Sequence, residues 1–434
     1  MAKRGLALGG GGAKGAYQMG AWQAFEELGI EFDVITGTSI GAANAALMCQ
    51  NDWKLANGLW DTIEYNNVFG EDPREGVEQL TTPLDLVKFT VSDIMLEGTI
   101  DTSSLETLVR KYILEERVRA APQEFGLVTV EIPSLRPRLL RKGEIPQGKL
   151  VDFIMASCSC FPIFSAKEID GVRYIDGGYY DNLPINFTLS CGAQEIVAID
   201  LQAVGLIREP RDEEEANILH IRPRWNLGAM FAFDKNLFAG NRMLGYQDTL
   251  KAYQKLEGGF YTFSKGESEK NLACLSGGLE EARAQIEHML RKPVAKTLQT
   301  IDSKSSVGYL SRGDWTADPA EMLCRIAEVA GQVFSLLPTE EYRFEEYNRR
   351  LLHEYRKVAR GIHKGEDGGE LIRILAAMPQ VVDSRRFAAQ IVQLLGRQRD
   401  SDLIWRVSEL LPREFIAAVY LKLLSDREQE PCPQ

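Results

Sequence analysis

The sequence predicts an α/β protein: a mostly parallel sheet covered by helices on both faces, followed by an all-helical region. Two observations carry this. Between Gly5 and Ile221, short apolar runs alternate with helical stretches, the pattern of successive βαβ units. From about Lys265 the strand patterns stop and apolar residues recur at helical spacing. The expected division is residues 1–265 as one domain and residues 266–434 as a helical accessory region.

Strands are predicted at Gly5 to Gly9, Val34 to Gly37, Leu127 to Ile132, Tyr174 to Asp176, Glu195 to Asp200 and Ile218 to Ile221. Helices are predicted at Ala16 to Leu28, Ile40 to Cys49, Lys54 to Thr62, Ser104 to Ile113 and Lys149 to Ser157. In the first of these, Met19, Trp22 and Phe25 fall at helical spacing. Tyr65 to Ile100 interrupts the alternation and carries Pro73 and Pro83. It reads either as a lid over a site or as a plain insertion covering the sheet. Beyond Lys265, helices are predicted at Leu279 to Leu290, Pro319 to Leu337, Glu340 to Ile362, Glu370 to Met378, Arg385 to Leu395, and Leu403 to Leu424 with a break at Pro412. Asp383 and Asp400 or Ser401 read as N-caps.

The chain has 434 residues and a formal net charge of −12. Its length allows a large core. Its acidity argues against nucleic-acid binding, since phosphate contacts need clustered Lys and Arg. Membrane docking would need a local patch. Ser134 to Gly143, basic and apolar together, reads either as that patch or as an exposed β-hairpin arm. The seven cysteines are scattered, with no CxxC spacing, so zinc is not expected and all read as reduced thiols. Cys158 and Cys160 would alternate sides of an extended segment. No signal peptide is read, and no stretch approaches the ~20 apolar residues of a spanning helix. A cytoplasmic protein with peripheral membrane contact at most is expected.

Three segments carry chemistry. Gly37-Thr38-Ser39-Ile40-Gly41 stands between a strand and a helix, so Ser39 occupies a sharp turn that can lift its hydroxyl out of the fold. Gly9 to Gly12 and Gly15 precede the first helix and can aim several N–H groups at one anion. That loop fits either an oxyanion hole or a dinucleotide cradle, Gly10-x-Gly12-x-x-Gly15. The dinucleotide reading needs an acidic residue ending the second strand, whereas Asp33 opens it. The third segment, Asp176-Gly177-Gly178, follows a short strand. A serine hydroxyl needs a base, and the four histidines, His220, His288, His353 and His363, are poorly placed for that work. Only His220 lies in the strand-rich half. A carboxylate is therefore expected, with burial raising the Asp176 pKa toward working pH.

Together these segments resemble the patatin-like phospholipase family: Gly10-Gly11-Gly12-Ala13-Lys14-Gly15, Gly37 to Gly41, and Asp176-Gly177-Gly178. Ala156 to Phe164, with Pro162 shifted by about one position, also resembles the family. The resemblance covers Lys3 to about Ser264. It implies a three-layer α/β/α fold, a Ser39–Asp176 dyad, and an oxyanion hole from Gly11 and Gly12, with Gly10 shaping the loop. Lys14 orders that loop or lends it charge. The resemblance further implies a lipid-ester substrate and no metal or organic cofactor. A homo-oligomer through the helical region stays open, as do a soluble esterase or thioesterase with the same dyad and a nucleotide-binding regulatory protein.

Overall fold

β1 (Arg4–Leu8) is an interior strand, paired in parallel with β2 on one edge and β7 on the other. The computed structural model describes residues 2–64, 66, 68, 99–100, 102–210, 217–290, 318–362, 383–397 and 401–428. Nearly all of the Tyr65 to Ile100 segment, the helix expected at Glu370 to Met378, His363 and Cys432 lie outside these residues. The described chain falls into two compact units, Met1–Ala252 and Tyr253–Gln434.

In chain order the first unit holds β1, α1 (Ala16–Leu28), β2 (Val34–Thr38), α2 (Ile40–Cys49), α3 (Trp53–Thr62), α4 (Ser103–Tyr112), α5 (Glu115–Ala120), β3 (Glu124–Ile132), β4 (Arg136–Arg141) and α6 (Leu150–Ser157). There follow β5 (Lys167–Ile169), β6 (Val172–Asp176), α7 (Ile185–Ser190), β7 (Glu195–Ile199), β8 (Asn217–Ile221) and α8 (Lys235–Ala252). Strands β8, β7, β1, β2 and β3 run parallel; β4, β5 and β6 add antiparallel pairings. The β1, β2 and β7 strands are buried almost throughout, as expected when both faces are covered. Side chains alternate between the two helical layers. Val34 packs with Ile185 of α7, and Thr36 hydrogen-bonds Thr188 at 2.6 Å. Gly37 faces the other way, against Gly41 of α2. The expected three-layer arrangement is present.

Within the Ser134 to Gly143 segment, Arg136–Arg141 forms β4, paired antiparallel along β3 from Gly126 to Glu131, so the β-hairpin reading holds and the hairpin extends the central sheet. Helix α8 and strand β5 had no clear sequence signal. Helix α8 has glycine at its contact with α1, and β5 has only three residues.

The second unit is mostly helical: α9 (Glu267–Leu275), α10 (Leu279–Leu290), α11 (Pro319–Val333), α12 (Phe344–Ala359), α13 (Ser384–Arg397), α14 (Ser401–Leu410) and α15 (Pro412–Arg427). It is not all helical. β9 (Leu256–Glu257), β10 (Thr262–Ser264) and β11 (Glu341–Tyr342) form a small sheet. The pairing of β10 with β11 draws residues before Lys265 into this unit, so the division falls earlier than the sequence suggested. Asp318 caps α11 by accepting from Ala320 N–H at 2.9 Å, and Asp383 caps α13 by accepting from Arg385 N–H at 3.1 Å. Pro412 begins α15 where the apolar run breaks. Buried on nearly every side, α15 forms the centre of this unit, packed on α11 and α13. No helix among the described residues is long and apolar enough to cross a membrane.

Helices α1 and α8 cross at glycine. A side chain on Gly20 would run into the Arg242 carbonyl, and one on Gly245 into the Tyr17 carbonyl. Both obstacles are backbone, so a methyl group must push the helices apart. Gly245→Ala should destabilise the protein by about 1–3 kcal/mol, read as an earlier midpoint in urea unfolding followed by near-UV circular dichroism.

Candidate functional site

The register of β3 brings two strand ends together. Thr38 of β2 pairs with Val128, and Asp176 of β6 pairs with Thr129. Because β4 takes the opposite edge of β3, β2 and β6 lie along the same edge and run toward each other. They stop one register step apart, with Ser39 leaving one end and Asp176 closing the other.

Ser39 has φ 56° and ψ −129°, a left-handed conformation that is unusual for a residue with a side chain. Such strain costs about 1–3 kcal/mol and must be held by its surroundings. Gly37 and Gly41 allow the crossing: a side chain on Gly37 would strike the Gly41 backbone, and one on Gly41 the Leu8 carbonyl. The Ala156 to Phe164 segment locks the pair from below. Ser39 N–H donates to Ser157 Oγ at 2.9 Å, and Ser157 Oγ donates to the Val128 carbonyl at 2.6 Å. Asp176 N–H donates to the Ser159 carbonyl at 2.8 Å.

The Ser39 hydroxyl lies near the Asp176 carboxylate and helps to stabilise its charged form. Gly178 N–H donates to Asp176 Oδ1 at 2.7 Å. Burial pushes the Asp176 pKa up from 3.8 to about 6, against the opposing pull of the Gly178 N–H and the Ser39 hydroxyl. Gly177 sits on the Val128 carbonyl with no room for a side chain.

The glycine loop leaves β1 beside this pair. Gly10 N–H donates to the Asn182 carbonyl at 3.0 Å, and Ala13 N–H to the Met230 carbonyl at 2.8 Å. The N–H groups of Gly11 and Gly12 have no acceptor among the described residues, and both glycines line the same cavity as Ser39 and Asp176. Gly12, at φ 56°, backs onto the Met230 carbonyl. Gly15 packs against Ile40 and Trp60. Lys14 Nζ donates to the Gln202 carbonyl at 3.4 Å, tying the loop to the chain after β7.

Both ends of the loop are fastened by a buried polar network. Asn44 Nδ2 donates to the Gly15 carbonyl at 3.1 Å and to Gln18 Oε1 at 2.8 Å. Gln18 Nε2 donates to the Gly9 carbonyl at 2.8 Å, and Trp60 Nε1 to Asn44 Oδ1 at 3.0 Å.

The cavity above Ser39 measures about 440 Å³ and is walled mainly by apolar side chains, among them Ile40, Ile63, Phe164, Met230 and Phe231. Cys158 and Cys160 both face it. They do not alternate, because Cys158 still has helical backbone at the end of α6. Burial pushes both thiols well above the usual range. Ile63 and Val68 bring the chain to this cavity before the undescribed segment, and Ile100 rejoins beside Phe164.

His220 lies on β8, three strands from β2, exposed and within 3.3 Å of Arg222. His288 and His353 belong to the second unit. Asp33 Oδ2 accepts from the N–H of Arg4 at 2.8 Å. It therefore sits at the start of β1, away from the loop that leaves the other end of that strand. Asn182, Asn44 and Gln18 were not singled out by sequence, and Ser157 only as part of the Ala156 to Phe164 segment. Only Asn44 carried a signal, as a lone polar residue in Ala42-Ala43-Asn44-Ala45-Ala46.

Asn44→Ala strips three hydrogen bonds from buried partners. It should destabilise the protein by about 2–4 kcal/mol, measured as the loss in unfolding free energy in urea.

Residues 6–189 match the family model described as patatin-like phospholipase. The mouse (Mus musculus) patatin-like phospholipase domain-containing protein 7 is 30% identical over 201 residues, covering 45% of this chain and 13% of that protein. Lysophospholipase nte1 of Aspergillus terreus is 30% identical over 200 residues, 46% of this chain and 12% of its own length. The chain thus spans only a small part of these relatives. Among solved structures, VipD from Legionella pneumophila aligns over 98% of this chain and 91% of its own, with 13% identity and a TM-score of 0.38.

Proposed function

From a patatin-like phospholipase domain over residues 6–189, we propose that the protein hydrolyses fatty-acyl esters of phospholipids or lysophospholipids through Ser39 and Asp176. The observation that carries this reading is the convergence of Ser39 and Asp176 in one apolar cavity, beside the amides of Gly11 and Gly12. A carboxylate with a pKa near 6 is ionised at neutral pH yet basic enough to take a hydroxyl proton.

The ester carbonyl enters above Ser39, and Asp176 accepts the hydroxyl proton as Oγ bonds to the carbonyl carbon. The tetrahedral oxyanion rests on the N–H groups of Gly11 and Gly12. As the carbon–oxygen bond to the leaving alcohol breaks, Asp176 returns the proton to that oxygen. Water then repeats the sequence on the acyl-enzyme, with Asp176 again the base, and releases the fatty acid. Gly10 and Lys14 hold the loop, Gly37 and Gly41 hold the elbow, and Gly177 and Gly178 hold the aspartate. We assign this chemistry to the first unit and an accessory role to the helical second unit. A nucleotide in the glycine loop would set its phosphates against the Asp176 carboxylate in an apolar cavity, which disfavours that alternative.

Ser39→Ala should lower ester hydrolysis at least about a thousandfold and abolish labelling by a fluorophosphonate, with circular dichroism unchanged. Normal turnover in this variant would overturn the assignment. Asp176→Asn should cost at least about a hundredfold, whereas His220→Gln should stay within a few-fold of wild type.

The pH dependence follows from the direction of the Asp176 shift. Its carboxyl binds a proton more tightly in the folded than in the unfolded chain, so it takes stability away as pH rises from 3.8 to about 6. Activity should rise through that same upper pKa. Asp181 is also pushed up to about 6 by burial, so an Asp181→Asn control assigns the inflection. Asp176→Asn should melt at a higher temperature than wild type near pH ~8, measured by calorimetry.

A further inference from the structure

The large apolar side chains left exposed in the first unit are unevenly placed. Tyr179 (46% exposed), Val204 (41%) and Leu206 (60%) line the Ser39 cavity, and Phe161 (38%) and Ile207 (46%) adjoin them, through Tyr179 and Leu206 respectively. The Tyr179 hydroxyl donates to the Phe161 carbonyl, and Ile207 follows Leu206. The others among the described residues of this unit, Leu114, Leu135 and Met243, lie on other elements.

The 204–208 loop is exposed but not loose. Leu206 N–H donates to the Gly178 carbonyl at 2.9 Å, and Asn182 N–H to the Leu206 carbonyl at 2.5 Å. Arg208 Nε donates to the Tyr180 carbonyl at 3.1 Å, with its guanidinium 3.9 Å over the Tyr180 ring. The loop is thus nailed to the backbone that carries Asp176. Its apolar side chains are held out in water, at a cost unless something apolar covers them.

We propose that this rim is the surface by which the protein docks on a lipid bilayer, with Val204, Leu206 and Ile207 entering the acyl boundary. The inference rests on lipid-ester hydrolysis at Ser39, since the rim and the cavity mouth share residues and an acyl chain leaving a bilayer must cross it. Rigid apolar side chains next to a stacked arginine and a tyrosine suit an interface whose outer layer is polar and whose inner layer is not. With a net charge of −12, the chain has no general attraction to anionic lipid. Docking is therefore apolar and insensitive to salt.

The test uses the full chain in a Ser39→Ala background, so that binding is read without turnover, and phosphatidylcholine vesicles separated by sedimentation. The background protein should co-sediment, equally at low and high salt. Adding Ile207→Asp should weaken partitioning at least about tenfold; Phe161→Ser should weaken it as well. Leu135→Asp, the same kind of change on the turn between β3 and β4, should leave it intact. With Ser39 restored, Ile207→Asp should hydrolyse a soluble short-chain ester at the wild-type rate and lose rate only on vesicles, which also reports that the variant is folded. Failure of the background protein to bind vesicles, full binding by both rim variants, or loss in Leu135→Asp instead would overturn the proposal. Failure of the hydrolysis reading would show separately, as a Ser39 that no fluorophosphonate labels.

Discussion

The site depends on the register of one strand. β3 offers a single edge to two partners, β2 over its first half and β6 over its second, and their ends meet at Val128 and Thr129. Strand pairing is strongly specified wherever both faces are buried, because a slip by one residue turns every side chain to the wrong layer. The separation of Ser39 and Asp176 is therefore set by backbone hydrogen bonds rather than by the flexibility of either side chain. β4, on the far edge, stiffens the stretch of β3 that both partners share.

Around that axis the remaining parts are held from several directions. Ser157 and Ser159 reach up from the end of α6 to the backbones of Ser39 and Asp176. Asn44, Gln18 and Trp60 secure the glycine loop at both ends, with every polar group in the trio engaged. A fully satisfied buried network of this kind rigidifies what it touches. Its rigidity holds in place a loop in which the N–H groups of Gly11 and Gly12 find no acceptor among the described residues. The burial that makes Asp176 basic follows from the same packing, which leaves Asp176 and its register partner Thr129 buried.

Most of the first unit was legible in the sequence. Strand-to-helix alternation located β1, α1, β2 and α2 to within a residue or so, and the glycine patterns picked out Ser39 and the loop. Asp176 was legible only in combination, since Asp-Gly-Gly alone reads as a turn. What stayed hidden depends on partners distant in sequence. Gly20 and Gly245 look like helix weaknesses until α1 and α8 are seen to cross there. Glu341 and Tyr342 read as helix because their strand exists only through pairing with Thr262 and Phe263. Cys158 and Cys160 were read as extended, whereas the last turn of α6 carries Cys158 round so that both thiols face one cavity. The 204–208 loop had no period or motif to mark it, only exposure that appears once the chain is folded.

The position of β1 has a consequence for how the protein is made. β1 leaves the ribosome well before β7, yet Leu6 and Leu8 must wait for Val197 and Ile199 to complete their second edge. Contacts this far apart in sequence are slow to form, because a long loop must close before any of them can contribute. Until β7 arrives, the glycine loop has an unfinished floor, and Gly9 N–H lacks the Ile199 carbonyl that receives it at 3.0 Å. The nascent chain therefore carries Ser39 and the glycine loop long before their surroundings are complete, while its most apolar strands are exposed. Such a chain is vulnerable to aggregation during synthesis, when a protein assembled from near neighbours would already be folded.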